Sequence, residues 1–60
     1  MQVSICDVPG EGLFLFLQGA SMREMRSKVV EVGRELPNHR WKLLCFDPER
    51  RLLFVFFRTI

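Results

Sequence analysis

The sequence has few of the residues that catalytic and metal-binding sites use. Its 60 residues include one histidine, His39, and two cysteines, Cys6 and Cys45. Structural zinc sites need four ligands with tight local spacing, and enzymes need a nucleophile together with a base. We therefore predict no catalytic residue, no metal and no cofactor, expect His39 to be a surface residue, and expect a protein that is not an enzyme.

Long hydrophobic runs are also absent. The longest, LFLFL at 13–17 and LLFVFF at 52–57, fall far short of the roughly 20 residues of a membrane helix. The N-terminus lacks the basic segment followed by a long apolar one that marks a signal peptide. Without secretion, the two cysteines are expected to be reduced rather than bridged. These features predict a cytoplasmic protein with no membrane partner.

Neither sign of charge dominates. The chain has nine Lys and Arg residues and seven Asp and Glu residues, which gives a net charge of +2. This falls short of the dense positive patch of a strong nucleic-acid binder. The glycines of PGEG at 9–12 connect two predicted strands instead of preceding a helix, so we expect a hairpin loop and not a phosphate-binding loop.

Apolar residues, in contrast, are abundant for so short a chain. Hydrophobic residues make up 48% of it, and six residues are Phe. A chain of this size forms a single domain, residues 1–60, and buries only about 60% of the surface that its unfolded form exposes. Oligomerisation reconciles the large apolar content with the small interior.

The hydrophobic periodicity predicts an α+β fold in the order ββαββ. Strands are predicted where residues alternate or form short apolar runs, at 2–6, 13–17, 40–46 and 51–58. The segment DPER predicts a type I turn joining the last two strands into a hairpin, whose register the sequence leaves open.

A helix is predicted at 22–36. Ser21 and Glu24 form a capping box, in which the Ser21 hydroxyl accepts from the Glu24 N–H and the Glu24 carboxylate reaches the Ser21 N–H. Pro37 ends the helix. Apolar residues recur at steps of three and four, at Met22, Met25, Val29, Val32 and Leu36.

The polarity of the strands predicts their order as 1-2-4-3, antiparallel throughout. Strands two and four are apolar on both sides, which suits the centre of a sheet. Strand one carries Gln2 and Ser4, and strand three carries Arg40 and Lys42, as is typical of protected edges. The alternative order 2-1-4-3 would put the polar first strand in the centre.

One helix covers one face of such a sheet and leaves the other apolar. Soluble monomers seldom expose a contiguous apolar patch above a few hundred Å², so we predict that a second copy covers this face. We assign Leu53, Val55 and Phe57 to the self-association face. A different protein on this face, or a topology that folds the face away, remains an alternative.

The candidate partner-binding residues are cationic or aromatic. On the helix, the arginines gather on one flank of the apolar stripe and the glutamates on the other, at about 100° per residue. The full set is Arg23, Arg26, Arg34, Arg40, Trp41, Lys42, Arg50 and Arg51. They favour a small homodimeric or higher homo-oligomeric regulator or inhibitor that binds another protein. The alternative is a nucleic-acid-binding protein using arginines of the second hairpin and the helix flank.

Overall fold

The computed structural model describes all 60 residues. Four strands and one helix follow in the predicted ββαββ order. Their bounds are β1 Gln2–Val8, β2 Gly12–Gln18, α1 Met22–Arg34, β3 His39–Asp47 and β4 Leu52–Thr59. The strands extend beyond most of their predicted ends by one or two residues, because the ladder continues through polar positions that the apolar runs do not include.

The strands form one antiparallel sheet in the order β1-β2-β4-β3. This confirms the predicted order and excludes the arrangement with β1 in the centre. The doubly apolar strands β2 and β4 lie inside, and the strands with polar positions lie at the edges. Because β2 and β3 run in the same direction on either side of β4, the helix between them crosses the sheet.

The second hairpin contains an irregularity that the sequence did not determine. Leu43 pairs with Val55 and Cys45 pairs with Phe54, so Leu44 is left over in β3. Such an extra residue is a β-bulge, a feature common on edge strands, where it hinders pairing with another chain.

The turn of this hairpin is held by a side chain. Asp47 Oδ1 accepts from the N–H groups of Glu49 at 3.1 Å and Arg50 at 3.3 Å, and the Arg51 N–H donates to the Pro48 carbonyl at 3.3 Å. The hydrogen-bonded turn therefore comprises residues 48–51. The Asp47 carboxylate, and not the Asp47 backbone carbonyl, accepts the N–H groups inside this turn. Arg51 has a φ of 51°, in the left-handed region.

The helix begins at its predicted cap but ends two residues early. The Ser21 hydroxyl accepts from the Glu24 N–H at 3.2 Å, whereas the Glu24 carboxylate accepts from that hydroxyl and not from the Ser21 N–H as predicted. After Arg34, the Leu36 N–H donates to the Gly33 carbonyl at 3.2 Å, a tighter turn than an α-helix makes. Leu36 still packs against the core.

The core lies between α1 and the two central strands. Eight hydrophobic residues are buried there: Leu15, Leu17, Ala20, Met25, Val29, Leu53, Val55 and Phe57. The assignment of Leu53, Val55 and Phe57 to a self-association face is therefore wrong, because they pack beneath the helix. Their neighbours in β4 point to the other side, since side chains alternate along a strand.

The helix does not cover the whole of its side of the sheet. Val3 and Ile5 pair with Leu17 and Leu15 and so point to the helix side, yet Ile5 is 60% exposed.

The 13-residue helix α1 is neither long nor apolar enough to cross a membrane.

Candidate functional site

The side of the sheet opposite the helix carries a cluster of four phenylalanines, which we call the open face. Phe14 lies between Phe54 and Phe56, with ring centroids 5.6 Å and 4.7 Å away, and Phe16 meets Phe54 edge-on at 6.1 Å. All four are half-buried, because the rings shield one another although no element packs over them. Leu44, which is 43% exposed, and Leu52 extend this apolar surface.

Cations occupy one end of the open face. Arg40 pairs with Arg58 and Lys42 pairs with Phe56, so all three cationic residues share the side of the phenylalanines. None of them forms a salt bridge, since the ion pairs of the structure are Lys28–Glu31 and Arg50–Asp47. Like charges directly opposite each other in a ladder are destabilising. An anionic group at this end would relieve that repulsion.

A second apolar surface lies on the helix side, between α1 and β3, and we call it the helix groove. Its volume is about 260 Å³, and seven of its eight lining residues are hydrophobic. The lining consists of Met22, Arg26, Val29, Val30, Trp41, Leu43, Leu53 and Val55. Trp41 is 57% exposed in its wall, and Arg26 is its one charged residue.

The predicted partner-binding residues lie in three places. Arg26 and Trp41 line the helix groove, and Arg23 and Arg34 follow the same helix flank at about 100° per residue. Arg40 and Lys42 lie on the open face. Arg50 and Arg51 lie at the tip of the second hairpin, where Arg50 pairs with Asp47 at 3.6 Å. The fold therefore does not gather these cations into one patch.

The histidine and the cysteines lie apart. Cys6 is on edge strand β1 and Cys45 on the opposite edge strand β3, and both are free and exposed. His39 is the first residue of β3, half-buried instead of on the surface as expected, and its Nε2 lies 3.4 Å from the Thr59 hydroxyl. No three His, Cys, Asp or Glu side chains are close enough to hold a metal ion.

Comparisons with known proteins do not assign a function to either surface. The chain matches no protein-family model, and neither curated proteins nor solved structures gave a match.

Sequence reasoning missed the residues of the open face. Strands β2 and β4 are apolar on both sides, so their composition does not distinguish the helix side. A signal was present in β1, where Val3 and Ile5 alternate with Gln2 and Ser4. Because β1 pairs with β2, the apolar side of β1 indicates which side of β2 carries the helix, and it is the side of Leu15 and Leu17.

Proposed function

We propose that this chain is a small, non-enzymatic binding protein that self-associates by packing the open faces of two copies together. The supporting observation is the cluster of Phe14, Phe16, Phe54 and Phe56, uncovered in a chain that buries only 9 of its 60 residues. A second copy brings an identical apolar surface, and isologous packing doubles the core without new sequence.

The exposed surface area of the chain and the size of the open face favour a second copy as the occupant of that face. The chain exposes 4554 Å², whereas a monomeric protein of 7.1 kDa is expected to expose about 4,100 Å². Four strands of seven to nine residues form a face of roughly 19 Å by 26 Å. Two such faces together amount to about 1,000 Å², which is near the minimum for a specific interface and below the roughly 1,200 Å² that stable interfaces bury. We therefore expect a dimer that dissociates on dilution.

Pairing through the open face leaves the helix side available for other contacts. Trp41, Arg26 and the remainder of the arginine flank would lie on the outer surface of the dimer. Aromatic residues and arginine are enriched where proteins bind one another. The dimer would act as a regulator or inhibitor through protein–protein contacts on this side.

Substitutions on the two sides of β4 test the proposal. Phe54→Glu places a charge at the centre of the open face, away from the core, and should yield a folded monomer. Phe57→Glu, on the same strand beneath the helix, should unfold the chain, because an unpaired charge in a core is strongly destabilising. Leu44→Lys, at the exposed bulge, is a milder second variant and should also give a folded monomer.

Light scattering with circular dichroism distinguishes the outcomes. Folded dimers of both Phe54→Glu and Leu44→Lys would contradict the proposal, since the open face would then not be the interface. The wild-type chain at the same concentration provides the reference mass.

A second candidate function is binding of single-stranded nucleic acid on the same face. It is favoured by the position of Arg40, Lys42 and Arg58 beside the Phe14 and Phe56 rings, because single-strand binders combine stacking aromatics with a basic groove. Oligothymidine added to the wild-type sample in low salt would then replace the dimer by a protein–DNA complex that weakens steeply as salt is raised. An unchanged mass in low salt would exclude this candidate.

A further inference from the structure

We infer that the helix groove is a binding site for a medium-chain aliphatic carboxylate, with the chain lying along the groove and the carboxylate paired with Arg26. This site lies on the opposite side of the sheet from the open face, so it does not depend on self-association. Its chemistry comes from two features, an apolar lining and an unpaired cation.

The lining suits a hydrocarbon chain. The floor is formed by Leu53, Val55 and Val29, which are buried, and Leu43 and Trp41 form the wall on the strand side. No hydroxyl, amide or carboxylate side chain is among the lining residues, so the Arg26 guanidinium and the Trp41 indole N–H are the only polar side-chain groups that the groove offers. Small-molecule sites are lined in this way, with few polar groups that fix orientation.

The dimensions indicate a medium chain. Met22, Arg26 and Val30 succeed one another at steps of four along the helix, so they span about 12 Å at 1.5 Å per residue, with Arg26 in the middle. Side chains on a helix lean toward its N-terminus, so a carboxylate bound by Arg26 at the Met22 end leaves most of the span to the hydrocarbon chain. An extended decanoate chain is about this long. The volume of about 260 Å³ lies just below the usual range of roughly 300–1,000 Å³ for small-molecule pockets, which excludes bulky ligands.

The positive charge of Arg26 favours a ligand with an anionic head group. Arg26 is exposed and forms no salt bridge, and its guanidinium is free to bind a carboxylate through two parallel hydrogen bonds. Arg23 and Arg34 lie on the same flank, whereas Glu24, Glu31 and Glu35 lie on the other at about 100° per residue. The groove rim is therefore positive, which favours an anion.

Trp41 makes the site directly observable. It is the only tryptophan and the chain has no tyrosine, so the emission of the protein reports the groove wall. Titration of wild-type protein with sodium decanoate, below the concentration at which decanoate aggregates, should give a saturable change in Trp41 emission. Decanol has the ten-carbon hydrocarbon chain of decanoate but no charge. Acetate has the carboxylate charge but no long hydrocarbon chain. Both should bind at least about tenfold more weakly.

Matched variants locate the ligand. Arg26→Gln should weaken decanoate binding about tenfold, whereas Arg23→Gln, outside the lining, should leave binding within about twofold. Leu43→Gln should weaken binding, and Leu44→Gln on the opposite side of the sheet should not, even if it yields a monomer. Circular dichroism establishes that each variant is folded.

Several results would overturn the inference. These are an absent or unsaturable emission change, equal binding of decanol and decanoate, and equal effects of Leu43→Gln and Leu44→Gln. A shift in Trp41 emission on dilution without decanoate would assign the groove to a second copy instead. A monomeric wild-type chain that still binds decanoate would contradict the dimer but support this site.

Discussion

Gly12 in β2 lies where a side chain would collide with the backbone of β4. Its φ is 146°, and a Cβ atom built there would lie 1.9 Å from the Phe57 carbonyl oxygen. That distance is far inside van der Waals contact with a backbone atom that belongs to the core strand. The position therefore requires glycine for two reasons, its conformation and its lack of a side chain.

Alanine at Gly12 should accordingly destabilise the chain more than alanine at another glycine with positive φ. Gly12→Ala should lower the free energy of unfolding by about 3 kcal/mol, combining backbone strain with overpacking. Gly10 is the control, since its φ is 80° but its Cβ would meet nothing within 4 Å, and Gly10→Ala should cost about 1 kcal/mol. Urea denaturation at one protein concentration measures both, and equal losses would contradict the steric explanation.

At the scale of elements, the helix is anchored by one exposed serine. Ser21→Ala removes the hydroxyl that accepts from the Glu24 N–H and should lower the free energy of unfolding by about 1 kcal/mol. Ser27→Ala, at an exposed position inside α1, should change the stability little or raise it by up to about 0.5 kcal/mol, because alanine favours helix. Thermal denaturation followed by circular dichroism compares them; a loss as large at Ser27 as at Ser21 would mean that the cap contributes nothing specific.

Elements and their order were predictable because each had its own local signal. The capping box, the helical stripe and the polar edges each indicated one structure, and the strand order followed from polarity alone. The bulge at Leu44 had no such signal, since a four-residue loop permits pairing with or without it. Helix residues 35–36 were predicted as α-helix because Leu36 continues the apolar stripe, whereas the backbone tightens there.

The candidate site was predictable only in part. The excess of apolar surface and the arginine flank were readable from composition and spacing. The uncovered side could not be identified within β4, because Leu53 and Phe54 are equally apolar neighbours; the signal that distinguishes the two sides lies in β1, through its pairing with β2. The helix groove is a tertiary feature, since Arg26 and Trp41 are fifteen positions apart and meet only because α1 crosses toward β3.

At the scale of the whole molecule, two apolar surfaces lie on opposite sides of one thin sheet. The open face is broad and apolar at its centre, which suits a second copy, and it carries its cations at one end. The helix groove is narrow and carries Arg26 in its lining, which suits a ligand with one aliphatic chain and one negative charge. A small chain can combine both because each surface uses alternate residues of the same strands.

The solution mass of the wild-type chain tests most directly whether two copies pair through their open faces. Light scattering on a sizing column, repeated across a dilution series, should give about twice 7.1 kDa at high concentration and approach the monomer mass on dilution, as expected for a small interface. A soluble chain that remains a monomer of 7.1 kDa at the highest concentration would show that the phenylalanine cluster is not covered by a second copy, and would contradict the account.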